Sequence, residues 1–320
     1  MLHVSASRWY STDVNSFEWK VFNFYDSIVR WPTPIFVMIS GALFLDRDFS
    51  LKKIFSKNIL RIVTAFIFWS CVYAAVRYSQ TKKIFEAVKI LFGGSYHMWF
   101  LFTAIGLYIT IPFMKKISED KFLTKYFLLL AFIFAIMIPQ SVNILRLFSE
   151  DYGKLTGNIF NKFNLKLPIG YTGYFLLGYV LNKKQISKRV SRIIYIAGIC
   201  GFLLTIFMTL EASLMKNKAT EIFYQGLTFN VMLEIIAMFV FFKNNFSKNS
   251  QIIAKLSKYS FGAYLVHVEV IRWITHYLGF NTLSINPVIS VPAISCLTFL
   301  ISFLISGILN NITVLKKYIV

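Results

Sequence analysis

Long apolar runs separated by short polar and basic segments dominate the chain. Uninterrupted or nearly uninterrupted apolar windows fall at Ile59 to Val76, Trp99 to Met114, Tyr126 to Ile138, Ile193 to Leu210, Phe229 to Phe242, Phe261 to Ile274 and Val288 to Leu309. Several approach the ~20 apolar residues that a helix needs to cross a bilayer. Shorter runs at 31–45 and at Tyr171-Thr172-Gly173-Tyr174-Phe175-Leu176-Leu177-Gly178-Tyr179 fit the same rhythm, giving nine recognisable crossings. The pattern predicts an all-α fold, a polytopic bundle of transmembrane helices. The Gly-containing 171–179 run reads first as a close-packing surface, because small residues let helix backbones approach. Residues 6–30, with Trp9, Tyr10, Trp19 and Tyr25, read as an aromatic lid at the outer interface, and 146–168 as the longest outer loop.

Composition agrees with this pattern. Of the 320 residues, 57% are hydrophobic and only 15% charged, against roughly 25% charged in a soluble domain. The net charge of +20 is not an argument for nucleic acid, because the basic residues are spread among the loops. One alternating set of loops (46–61, 115–125, 183–192, 243–258 and 316–317) holds 20 of the 34 Lys and Arg, and the other set holds 14. The excess of positive charge marks the first set as cytoplasmic, with the C-terminus inside. That pattern is of a multi-pass membrane protein. Cys71, Cys200 and Cys296 all sit in apolar runs, and no zinc-ligand spacing occurs, so no metal is expected.

Four histidines are the main candidates for chemistry. Ionisable groups within membrane segments are costly and therefore suspect, and imidazole suits proton transfer near neutral pH. His97 opens a span in Gly93-Gly94-Ser95-Tyr96-His97-Met98-Trp99-Phe100, where a helix-end role competes with a role in a site. His267 lies inside a span; Glu269, two residues on, points around the helix and is not its direct partner. His276 is best read as interfacial, and His3 lies on an apolar fragment too short to span. Lys52, Lys53, Lys57 and Arg61 follow the Trp31–Leu45 run and offer charge for phosphates, although a solvated loop explains Lys52 and Lys53 equally well. Neither a phosphate-binding Gly loop nor a G-x-S-x-G elbow is present.

Five ordered segments, P-I-F-V-M-I-S-G-A-L-F-L, F-S-K-N-I-L-R-I, Y-H-M-W-F-L-F-T-A-I-G-L-Y-I-T-I-P, G-Y-F-L-L-G-Y and Y-S-F-G-A-Y-L-V-H, resemble the motifs of the acyltransferase type 3 family of bacterial integral-membrane acyltransferases. Among these the chain looks closest to the branch containing the O-acetyltransferase of enterobacterial common antigen. The resemblance covers nearly the whole chain and implies a single membrane acyltransferase domain, 1–320, with 1–30 as the remnant of a first helix plus an outer loop and 31–320 as the helical bundle. The nine crossings then correspond to a ten-helix family fold whose first helix is truncated here.

The resemblance further implies transfer of an acyl group, acetyl above all, from acyl-CoA to a hydroxyl of a surface-glycan or lipid-linked sugar, with no permanently bound cofactor. It implies that His3 is catalytic and that Lys57 and Arg61 meet the phosphates of acetyl-CoA or another acyl-CoA, only one arginine of the family's R-x-x-R pair being present, since Asn58 holds the other position. His97, Trp99 and His267 are the expected substrate contacts. The expected partners are acyl-CoA, the sugar acceptor and membrane lipid. Two alternatives fit the same sequence, a transporter of glycan or lipid intermediates and an inactive truncated paralogue.

Overall fold

Apolar runs of this length have one way to satisfy their backbone polar groups without water, which is to close every N–H···O=C bond within a helix. The computed structural model describes residues 1–48, 50–163, 169–246 and 251–319, and among these every regular element is helical. In chain order they are α1 (Leu2–Ser5), α2 (Phe17–Ser27), α3 (Pro32–Phe44), α4 (Leu51–Thr81), α5 (Ile84–Gly93), α6 (Trp99–Glu119) and α7 (Lys121–Phe148). They continue with α8 (Glu150–Asn161), α9 (Thr172–Lys183), α10 (Lys188–Met215), α11 (Phe229–Asn245), α12 (Gln251–Arg272), α13 (Pro287–Asn310) and α14 (Thr313–Tyr318). Helical π turns interrupt α4 at Ile54–Ile59 and α7 at Ala131–Met137, and another extends α12 through Trp273–Tyr277. Among the described residues, six stretches are long and apolar enough to cross a membrane: Phe17–Phe44, Leu51–Thr81, Ile84–Glu119, Lys121–Phe148, Lys188–Met215 and Pro287–Asn310. The chain is thus an all-helical protein suited to multiple membrane crossings.

Two segments expected to be loops are helices. In the first, the run Phe17–Ser27 is a helix, capped by the Ser16 side chain accepting from the Trp19 N–H. Trp19, Phe22, Asn23, Asp26 and Ser27 are buried on one face, so the supposed aromatic lid carries a period of 3.6 that its polar residues disguise. Pro32 and Pro34 then sit in the first turn of α3, where a missing N–H costs nothing. In the second, Glu150–Asn161 forms α8, with Ser149 at its N-cap and two carboxylates in the first turn. Gly153 and Gly157 let α8 lie against Arg146 of α7. Residues 164–168 of that expected loop lie outside the described residues.

The chain packs as two compact units. The first comprises Met1–Asp48, Ile111–Lys248 and Thr282–Val291, and the second Phe49–Thr110, Asn249–Asn281 and Pro292–Val320. In the first, α3 and α9 touch backbone to backbone. A Cβ on Gly41 would stand 1.7 Å from the Phe175 carbonyl oxygen, and one on Gly178 would stand 2.1 Å from that of Met38. The Gly-aromatic run at 171–179 is therefore a packing surface, the plainest of its readings. The second unit is tied by Ser306 donating to the Tyr259 carbonyl (2.7 Å) and by Thr64 donating to that of Tyr318 (2.6 Å).

Candidate active site

Gly94 prepares the polar core of the second unit. Its backbone takes a positive φ of 73°, and a Cβ there would stand 2.8 Å from the Phe66 ring, so the turn between α5 and α6 accepts only glycine without strain. The chain then makes one 3-10 turn, Tyr96–Met98, which carries His97 inward to 2% exposure. Four rings meet the His97 imidazole edge to face: Tyr73 at 5.4 Å, Tyr96 at 5.7 Å, Tyr264 at 5.6 Å and His267 at 5.1 Å between centroids. The Tyr264 hydroxyl donates to the His97 carbonyl (2.6 Å), and the Tyr73 hydroxyl donates to the Leu265 carbonyl (2.8 Å).

His267 Nδ1 lies 2.6 Å from the Tyr264 carbonyl, which can only accept. The proton of a neutral His267 is therefore on Nδ1, and Nε2 is the unprotonated nitrogen. Two of the expected substrate contacts, His97 and His267, thus belong to one cluster. Trp99 begins the helix that follows His97 but is exposed. Glu269 pairs with Arg272 (2.7 Å) rather than with His267, and His276 is exposed. Tyr73, which carries no motif in the sequence, and Tyr264, an unmarked tyrosine within Y-S-F-G-A-Y-L-V-H, join the cluster.

Lys57 and Arg61 also belong to the second unit. They are exposed, four residues apart, with Lys53 one turn before, so three cations project along one helix edge. Lys57 sits within the π turn Ile54–Ile59, a wider turn of a kind frequent at functional sites. The Arg61 guanidinium lies 5.5 Å from the centre of the Phe261 ring. Such an edge can bind an anion with several phosphates, Arg in fork geometry and Lys as point charges.

His3 belongs to the first unit, half-buried on the single turn α1 that packs against α2. Two residues on, the buried Ser5 faces the Asp26 carboxyl. Asp26 forms an ion pair with Arg30 one turn later, with side chains only 2% and 14% exposed. The Arg30 guanidinium lies 3.8 Å above the centre of the Tyr224 ring. Tyr224 reaches Asn23, and Trp9 stacks between Tyr224 (5.2 Å) and Trp19 (5.5 Å). Burial pushes the Tyr224 phenol well above its usual range, and burial together with Glu221 does the same for Tyr10. Asp26, Arg30 and Tyr224 escape a reading by motif, but the spacing Trp19, Phe22, Asn23, Asp26, Ser27, Arg30 is a helical stripe ending in an i,i+4 ion pair.

The model of the acyltransferase 3 family, described as an acyltransferase domain, matches residues 1–307. Neither the curated proteins nor the solved structures yield a match. The family match takes in His3, the Lys57–Arg61 edge and the His97–His267 cluster alike. An all-helical chain with six membrane-suited stretches and a family match over nearly its full length is a membrane acyltransferase, and it belongs to the acyltransferase 3 family.

Proposed function

We propose that the protein is an O-acyltransferase of the bacterial inner membrane that moves an acyl group, acetyl in the first instance, from acyl-CoA to a hydroxyl of a surface-glycan or lipid-linked sugar. The observation that carries the reading is the family match across residues 1–307. In the proposed reaction the sugar oxygen attacks the thioester carbonyl while His3 removes the hydroxyl proton. The C–S bond breaks, and the proton passes to the departing thiolate, so an ester and free CoA thiol result. A positioned base of this kind contributes ~10²–10⁴-fold. The Asp26–Arg30 pair supports the role of His3, because it fixes α2, against which the His3 turn packs.

In this reading Lys57 and Arg61 hold the donor phosphates, and His97, Trp99 and His267 contact substrate. The nine crossings of a ten-helix architecture, the cytoplasmic C-terminus and the kinship with the common-antigen O-acetyltransferase branch belong to the same proposal. The test uses membranes containing the protein, supplied with acetyl-CoA labelled in its acetyl group, and follows label into the glycolipid fraction. His3→Ala is expected to lower transfer ~10²–10⁴-fold, and Arg61→Ala to raise KM for acetyl-CoA more than it lowers kcat. Full transfer by His3→Ala, or KM values indifferent to Arg61, would overturn these roles.

A further inference from the structure

Within the first unit, α10 and α11 approach closely along a face of small residues. A Cβ on Gly198 would stand 2.2 Å from that of Ala237, and one on Gly201 would stand 2.6 Å from the Asn230 carbonyl oxygen. This approach sets Thr205 against Glu234, whose side chain is fully enclosed at 0% exposure. The hydrogens in the network can be counted, because backbone groups fix its orientation at both ends.

At one end Gln140 Oε1 accepts from the Phe229 backbone N–H (2.6 Å), so Gln140 Nε2 must face Asn230 Oδ1, 3.2 Å away. At the other end Asn230 Nδ2 donates to the Phe223 carbonyl (2.7 Å) and gives its second hydrogen to Thr205 Oγ1 (2.8 Å). Thr205 Oγ1 also lies 2.8 Å from the Gly201 carbonyl, which only accepts, so the threonine has one hydrogen for two further oxygen contacts. The second of these is with Glu234 Oε1. For both contacts to carry a hydrogen, the carboxyl must supply one of them.

The surrounding charges agree with this count. Arg30 is the cation that acts on Glu234, and it is already engaged by Asp26 and by the Tyr224 ring. The phenol of Tyr174 on α9 also faces Glu234, with its hydroxyl donating to the Gly226 carbonyl (2.8 Å). A carboxylate enclosed here would lack a counter-ion of its own and leave Oε2 without a hydrogen bond from the protein, a heavy cost for a charge and a lighter one for a neutral carbonyl oxygen.

We propose that Glu234 is a proton-binding site, carried as the neutral carboxylic acid at neutral pH and sharing a hydrogen bond between Oε1 and Thr205 Oγ1. The inference does not rest on the acyltransferase reading. The Arg30 guanidinium acts on both carboxyls, while its contacts are to Asp26 and the Tyr224 ring. Through that shared cation the charge state of Glu234 acts on the ion pair beside the His3 turn.

Infrared difference spectra of the purified, detergent-solubilised protein test the assignment. At neutral pH, wild type minus Glu234→Gln should show the carbonyl stretch of a protonated acid, moving to lower frequency in heavy water. Wild type minus Asp26→Asn should show loss of carboxylate absorption only. A Glu234→Gln difference made of carboxylate bands would overturn the proposal. Should Glu234→Gln fail to fold, Thr205→Val keeps the acid and removes its partner. The protonated band should then move to higher frequency, and its absence from the wild type minus Thr205→Val spectrum would be equally fatal.

Discussion

Single side chains here are held by backbone partners more than by one another. His267 illustrates this: its tautomer follows from one carbonyl, that of Tyr264 at 2.6 Å. Nitrogen NMR on histidine-labelled protein should therefore report His267 with a protonated Nδ1 and an unprotonated Nε2, and the opposite tautomer would overturn that assignment. Tyr264 works in the other direction as well, because its hydroxyl fixes the backbone of His97. Replacing it with Phe should cost about 1 kcal/mol, the usual net value of a hydrogen bond, and loosen the His97 ring. The Asp26–Arg30 pair carries a larger stake. Removing the carboxylate by Asp26→Ala strands a buried cation, a change worth about 3–5 kcal/mol, and thermal unfolding in detergent should register it as a large drop in Tm. The two histidines of the cluster were legible because imidazole in an apolar run stands out. Tyr73 and Tyr264 were not, since tyrosine is common in such runs and only the fold shows which hydroxyls turn inward.

At the scale of elements, glycine spacing and caps decide the outcome. The α3–α9 contact leaves no room for a side chain, and Gly178→Ala would press a methyl group onto the Met38 carbonyl. Overpacking of this kind costs about 1–3 kcal/mol, so the variant should unfold at a lower temperature, whereas Gly307→Ala, which meets open space, should not. Apolar runs announced α4, α6, α7, α10 and α13 without ambiguity. The helices α2 and α8 were hidden for a shared reason: their sequences are polar enough to read as loops, and composition outweighs periodicity when a window is short. The cap residues were the better guide. Ser16 followed by Glu18, and Ser149 followed by Glu150 and Asp151, are start signals that the composition of the flanking residues obscured. Ser16→Ala should cost about 1 kcal/mol of helix stability, and α2 would bear it beside His3.

At the scale of the molecule, six stretches among the described residues meet the length and hydropathy needed to span, while the sequence rhythm suggests nine. The difference has a physical source: α9 has 12 residues and α11 has 17, and α12 carries Lys255, Lys258, Glu269 and Arg272. Short or charged helices can cross only where neighbours shield them, which no linear pattern records. Single cysteines introduced at Lys116 and Lys188 should react with an impermeant maleimide only from the cytoplasmic face, and one at Lys218 only from the outer face. Reaction of all three from one side would refute the alternating arrangement. The native Cys71, Cys200 and Cys296 are exposed on helices within apolar runs, so in membranes they should resist the same reagent until detergent replaces lipid. The paired glycines of α3 and α9 also restrict motion. Helices whose backbones touch cannot slide or swivel past one another without a collision at every step, so this pair must travel as a single stiff beam. Whatever opening admits a substrate has to hinge elsewhere in the chain, and a covalent bridge between α3 and α9 should leave turnover untouched.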